Sequence, residues 1–335
     1  MSSDKPTIFF IPGAWHLPDG FDDVRTSLAI RGFPSESVAL PSIGAEPPSK
    51  GLADDTIFVQ NEIERLSNQG KQIVVVAHSY GGMVGAGALK GMGYAERQKT
   101  GKQGGVLMLV YMAAFVARSG TSLLDMIGGK WLPWNQLDGN YVRAADAPQI
   151  FYHDLPVQEQ EKWTSKLVHT SRAAFEDPVS HEPWHDLPCM YIFCEEDRAI
   201  PLSAQESMAG LLGDHSQFRC KSSHSPFLSM PDKVAEACEM AANIGLGKHN
   251  MHDRCIAQGG LRENLHAIMR KQKQSDDVKA RSYRKHSPTA NHGQAHREPQ
   301  NQTRNARIME YKRIDGEAET TTPQNTEEII VSTQT

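Results

Sequence analysis

Gln72-Ile73-Val74-Val75-Val76-Ala77-His78-Ser79-Tyr80-Gly81-Gly82 decides the fold. Ile73 to Val76 are β-branched and apolar without interruption, the pattern of a strand buried on both faces, as in a parallel sheet. Met83-Val84-Gly85-Ala86-Gly87-Ala88-Leu89 follows, small and apolar, suited to a helix lying close on that sheet. Between strand and helix stands Ser79, with small residues two positions before it (Ala77) and two after it (Gly81). A strand, a sharp turn centred on Ser and a helix make a nucleophile elbow. Such a turn forces the serine into a strained conformation and needs those small neighbours. It also sets Ser79 at the start of a helix, where free N–H groups and the helix dipole favour a developing negative charge. Gly- and Ser-rich strand-to-helix turns also occur where no chemistry is done, so the elbow needs partners elsewhere in the chain.

Outward from the elbow, the chain alternates strands and helices. Thr7 to Ile11 reads as a strand ended by Pro12-Gly13, and a helix begins near Asp19 with Phe21, Val24 and Leu28 at helical spacing and Gly32 as its stop. Ser37 to Leu40 reads as a second strand, and Leu52 to Asn68 as a helix with Ile57, Ile63 and Leu66 on one face. Val106 to Met112 and Cys189 to Cys194 are further apolar strands, Gln205 to Leu212 a helix, and Gln217 to Cys220 a short edge strand. Asp232 caps a last helix that stops at Gly245. The alternation predicts an α/β fold, a mostly parallel sheet flanked by helices. It lapses between about 118 and 185, where tryptophans and tyrosines stand among prolines and glycines, with helices expected over Ser122–Ile127 and Val157–Phe175. An insertion of that length predicts a helical cap over a site.

The chain of 335 residues carries a net charge of −5, too mild to point to nucleic acid. The N-terminus lacks the basic-then-apolar pattern of a signal peptide, and no apolar run is long enough to span a membrane. Five cysteines without a CxxC pair argue against a disulfide framework, so a reduced, cytoplasmic protein is expected. No His, Cys or Asp cluster has metal-ligand spacing, no GxGxxG follows a strand, and the expected chemistry needs no cofactor. Residues 1–247 read as the globular domain. Residues 248–335 are polar, with a basic run from Arg270 to Lys285 and an acidic one from Glu310 to Glu328, and read as a disordered tail. Asn301-Gln302-Thr303 matches the glycosylation pattern but has no secretory context.

A serine needs a base, and the base needs an orienting acid. Asp197 follows an apolar strand, and His224 sits in a loop between the last strand and the last helix. Both are strand ends, where sheet-built sites gather. The order Ser79, Asp197, His224 is the one that accompanies an elbow of this kind. Glu195 and Glu196 compete for the acid role, and Asp197 is preferred for its place before Ala199-Ile200-Pro201. His78 reads as structural, because it cannot easily reach around the elbow; His16, His181 and His185 are weaker candidates for the base. The oxyanion donors expected are the N–H of Tyr80 and that of Ala14, in the bend after the first strand. Trp15, Trp131 and Trp134 are the expected substrate-binding aromatics.

Ile11-Pro12-Gly13-Ala14-Trp15-His16, Ala77 to Gly82, Glu196 to Pro201 and Ser223 to Phe227 together resemble the α/β-hydrolase superfamily, and within it the branch of small-molecule esterases and hydroxynitrile lyases. The resemblance covers Thr7 to about Gly245 and implies a capped serine hydrolase. Pro12 stands where many members carry His, and Ala77 where most carry Gly. The lyases carry Thr at the position of Gly13 and Lys directly after the catalytic His, where this chain has Ser225; both differences favour hydrolysis. The expectation is cleavage of an ester, lactone or similar acyl bond of a small, fairly apolar molecule. A lyase, a C–C bond hydrolase and a non-catalytic small-molecule receptor on the same framework are the rivals.

Overall fold

The computed structural model describes residues 5–249. In chain order its first half runs β1 (Thr7–Ile11), α1 (Asp22–Ile30), β2 (Ser35–Ser37), α2 (Leu52–Asn68), β3 (Gln72–His78), α3 (Gly81–Ala88), α4 (Tyr94–Lys99) and β4 (Gly105–Met112). The insertion then holds α5 (Leu123–Met126), β5 (Asn135–Asp138), β6 (Tyr141–Ala144), α6 (Ala147–Phe151), α7 (Val157–Ser165), β7 (Thr170–Ser171) and α8 (Ala173–Glu176). The main sheet resumes with β8 (Cys189–Cys194), α9 (Leu202–Ala209), β9 (Ser216–Cys220) and α10 (Pro226–Ser229), and a last helix runs from 231 to 249.

Six strands form one sheet in the order β2-β1-β3-β4-β8-β9, parallel at every pairing. Side chains alternate across a strand, and here both faces are covered. Phe9, Ile11, Val75, Leu109 and Tyr191 join one core with residues of α2, α3 and the cap. Ile8, Phe10, Val74, Val76, Met108 and Ile192 join the other, against α1 and the last helix. That double burial is why the central strands read as unbroken apolar runs.

Five expectations need correction. The second strand lies at Ser35–Ser37, paired only to β1, while Val38 and Leu40 are buried beyond it. Their apolarity marks burial, and not a place in the ladder. Ile57 is 60% exposed, and Val59 takes the inner face of α2. The long cap helix expected over Val157–Phe175 ends at Ser165, and the cap is not purely helical, since β5, β6 and β7 form a small antiparallel sheet. The last helix does not stop at Gly245. A Cβ there would sit 3.0 Å from the Leu107 Cβ, so this glycine serves close packing on β4 and not termination. The helix therefore runs through the expected boundary at 247.

The predicted disordered tail, from residue 250 on, lies outside the described residues, as do Cys255 and Asn301. Cys189, Cys194, Cys220 and Cys238 are buried free thiols. Among the described residues no helix is long and apolar enough to cross a membrane.

Candidate active site

β3 delivers Ser79 at its C-terminal end with φ of +53°, the left-handed region that side chains other than glycine's rarely occupy. Backbone bonds hold it there. Ser79 N–H donates to the Met112 carbonyl at 3.3 Å, and the Ser79 carbonyl accepts from Gly82 at 3.0 Å and Phe115 at 3.1 Å. The two glycines after the turn have no room for a side chain. A Cβ on Gly81 would lie 2.6 Å from the Ile11 carbonyl oxygen, and one on Gly82 would collide with that of Phe115.

His224 stands in the loop after β9, buried, with Nδ1 2.7 Å from Asp197 Oδ2. The carboxylate can only accept, so Nδ1 carries the hydrogen and Nε2 is left as the basic nitrogen. Asp197 is itself fixed. Its Oδ1 accepts from the N–H groups of Ala199 (2.7 Å) and Ile200 (3.0 Å), and Gln205 Nε2 reaches Oδ2 at 3.3 Å. Gln205 is fully buried and also bonds both backbone groups of Cys194. Glu195 and Glu196 face Arg219 and Lys221 at the surface instead. Ser79 and His224 line one pocket without a mutual hydrogen bond, the loose arrangement common before substrate binds.

The N–H groups of Ala14 and Tyr80 have no acceptor among the described residues, whereas that of Trp15 is spent on Thr170 Oγ1 at 2.8 Å. Each candidate donor is buttressed. His16 donates from Nδ1 to the Ala14 carbonyl at 2.7 Å and accepts at Nε2 from the Tyr152 hydroxyl at 2.8 Å. Burial lowers the His16 pKa to about 4, which keeps this relay neutral. Tyr80 donates its hydroxyl to Asp55 at 2.8 Å, and Asp55 also accepts from the N–H and hydroxyl of Ser42. Asp55 is buried with no cation paired to it among the described residues, and burial pushes its carboxyl up to about 6. His78 is structural: its Nε2 donates to the His224 carbonyl at 2.9 Å, and burial holds its pKa well below the usual imidazole value. Gly13 closes the back of the site, since a Cβ there would come within 2.7 Å of the Ser79 Cβ.

Above Ser79 lies a pocket of about 400 Å³, its open mouth included, lined by Trp15, Leu132, Trp134, Phe151 and Phe175 among others. Trp15 and Trp134, two of the three expected substrate-binding aromatics, line this pocket. Trp131 is not among the lining residues; it packs edge-on against Phe175, which is, at 5.3 Å between ring centres. The cap also grips the loop that carries His224. Ser223, next to His224, bonds Asp154 through its N–H and the Phe151 carbonyl through its hydroxyl. Among the described residues no group of three or more His, Cys, Asp or Glu side chains could hold a metal ion.

Sequence reasoning missed Gln205, Tyr152, Asp55 and Asn135, the last a pocket residue at the start of β5. Asp55 alone carried a signal, as an acid at an inward position of an amphipathic helix.

A family model described as "Alpha/beta hydrolase family" matches residues 8–237. The chain is 27% identical over 249 residues to the alpha/beta hydrolase nvfD of Aspergillus novofumigatus, covering 71% of this chain and 97% of that protein. Among solved structures it is similar to a pyrethroid hydrolase from Sphingobium faniae, with a TM-score of 0.57 and 22% identity over 71% of this chain and 97% of that one. It is also similar to a methylesterase, MES16, from Arabidopsis, with a TM-score of 0.55 and 20% identity over 71% and 99% of the two chains.

Proposed function

The chain belongs to the α/β-hydrolase family, and from that premise we propose that it is a serine esterase acting on an ester, lactone or similar acyl bond of a small, fairly apolar molecule. The observation that carries this reading is the 2.7 Å bond between His224 and Asp197, with Ser79 held at φ of +53° in the same pocket.

In the proposed reaction Ser79 Oγ attacks the acyl carbon while its proton passes to His224 Nε2. Asp197 stabilises the imidazolium, and the carbonyl oxygen, now an anion, takes the N–H groups of Ala14 and Tyr80. His224 returns the proton to the departing alcohol oxygen, leaving the acyl group on Ser79. Water then attacks that acyl group, giving its proton to His224, and the acid leaves as Ser79 regains its hydrogen. The apolar lining fits an apolar substrate, and the methylesterase and pyrethroid hydrolase among the similar structures are in keeping with acyl-bond cleavage.

Cyanohydrin cleavage fits less well. A departing cyanide is helped by a nearby cation, and the pocket lining includes neither Lys nor Arg. A threonine at Gly13 would press on Ser79. Purified wild type and Ser79→Ala, compared on short aryl esters and on mandelonitrile, test the choice. Ester hydrolysis that depends on Ser79, with negligible cyanide release, is expected. Ser79-dependent cyanide release without ester turnover would replace the esterase with a lyase, and binding without turnover of either substrate would favour a receptor.

A further inference from the structure

Trp15 has φ of +67°, in the left-handed region that a bulky side chain rarely enters. Such a conformation persists only where the surroundings over-determine it. Here the cap supplies the constraints. Thr170 Oγ1 accepts the Trp15 N–H at 2.8 Å, the Val142 carbonyl accepts the indole N–H at 2.9 Å, and the Val168 N–H donates to the Trp15 carbonyl at 3.1 Å. Val142 and Thr170 are register partners across β6 and β7, and both are fully buried, so the short cap sheet holds Trp15 as a unit.

The residue held in this way follows Ala14 directly. A peptide group is planar, so fixing one side of it aims the other. The Ala14–Trp15 peptide is fixed on both sides, its N–H on Thr170 and its carbonyl on His16 Nδ1 at 2.7 Å. The Gly13 carbonyl accepts from the His16 N–H at 3.3 Å, which turns the Ala14 N–H of that same peptide to the opposite side. β7 reaches the second donor as well. The Ser171 N–H donates to the Ser42 carbonyl at 2.9 Å, and Ser42 bonds the Asp55 carboxyl that receives the Tyr80 hydroxyl.

We propose that β7 sets the oxyanion hole, with Thr170 as the positioning residue that fixes the Ala14 N–H through the strained Trp15 backbone. This rests on the esterase reading and on the two donors assigned there. Without the Thr170 hydroxyl the buried Trp15 N–H loses its acceptor, and the left-handed backbone loses one of its restraints. The Gly13-Ala14-Trp15 bend then relaxes, and the Ala14 N–H no longer meets the charge that develops on the substrate oxygen. The penalty falls on the transition state, where that charge exists, and not on the bound ester.

The test is Thr170→Val, which keeps the branched shape and removes the hydroxyl, beside Thr170→Ser, which keeps the hydroxyl. Thr170→Val should lower kcat on a short aryl ester by about 10–100-fold with KM little changed, short of the loss from removing a donor outright. Thr170→Ser should recover most of that loss. An aryl trifluoromethyl ketone gives a second readout. Ser79 Oγ adds to its carbonyl carbon, the Ser79 proton moves to His224 Nε2, and the former carbonyl oxygen stays as an anion in the hole. Its inhibition constant should weaken in Thr170→Val by the same factor as kcat, while the ester binds Ser79→Ala equally well with and without Thr170→Val. Tyr152→Phe cuts the other tie to the bend, through His16, and should show the same split. Unchanged kcat and ketone binding in Thr170→Val, or in Tyr152→Phe if only that variant folds, overturns the proposal and leaves the esterase standing. So does a loss of ester binding equal to the loss of kcat, which would mean that Thr170 only shapes the pocket. Wild type with neither Ser79-dependent ester turnover nor a ketone adduct would overturn the esterase reading and this inference with it.

Discussion

The sheet and the cap build their parts of the site by opposite means. Along β1, β3 and β4 the residues are almost entirely buried, and glycines at the elbow are set by backbone oxygens closer than 3 Å. The cap is looser: α7 buries no residue, β5 is largely exposed, and a Cβ on Gly128, Gly129 or Gly139 would meet nothing within 4 Å. The cap bonds directly to the loop after β1. Val142, Val168 and Thr170 hold Trp15, and Tyr152 holds His16. Under the proposed function, the strain at Ser79 and the buried charge are managed by the sheet side, while the shape of the pocket and the set of the loop after β1 come from the cap.

The largest expected effect lies on the sheet side. Asp197→Asn should lower kcat by about 10⁴, as neutralising the acid of a Ser-His-Asp triad does, with little change in stability. Kinetics of Asp197→Asn beside Glu196→Gln check it; near-normal activity in the first and loss in the second would move the acid to Glu196. Second comes a matched pair that measures the contrast itself. Gly82→Ala forces a Cβ against the Phe115 carbonyl and should cost more than about 3 kcal/mol in urea unfolding. Gly128→Ala in the cap, at φ of +82° in open space, should cost only the left-handed penalty of about 1–2 kcal/mol. Equal costs would erase the distinction between the two regions.

How far each region was legible from sequence follows the same division. β1 and α2 are found with the bounds their patterns predict, and the strand ends place Ser79, Asp197 and His224 together, because local pattern and burial agree there. In the cap they disagree. Leu137 is the one apolar residue of β5, and Gln136 to Asp138 are exposed, so no alternation announces a strand; the Asp138-Gly139-Asn140-Tyr141 turn is the available signal, and it closes a two-residue hairpin with Gly139 at φ of +57°. The buttresses were hidden for another reason. Tyr152 meets His16 across 136 positions of sequence, and nothing local to either residue encodes that meeting. Trp131 was misplaced because an aromatic in a cap looks alike from sequence whether it faces the pocket or backs a residue that does.

A smaller effect concerns the buried acid behind Tyr80. Asp55 is raised from 3.8 to about 6, so through that window the folded chain keeps a proton that the unfolded chain has released. Its contribution to stability therefore falls as pH rises from about 4 to about 6 and levels off above, by roughly 2–3 kcal/mol at most. His16, lowered to about 4, works in the opposite sense over much the same range, so wild type alone does not isolate the effect. The stability of Asp55→Asn relative to wild type should rise across that pH window. A difference independent of pH would mean that Asp55 is not protonated in the fold.

The central claim is that Ser79 carries the acyl group, and intact-protein and peptide mass measurement after mixing with an aryl ester tests it most directly. The expected result is a burst of released phenol, with the acyl mass on the peptide containing Ser79 and both absent from Ser79→Ala. Ester hydrolysis at an undiminished rate by Ser79→Ala would contradict the account.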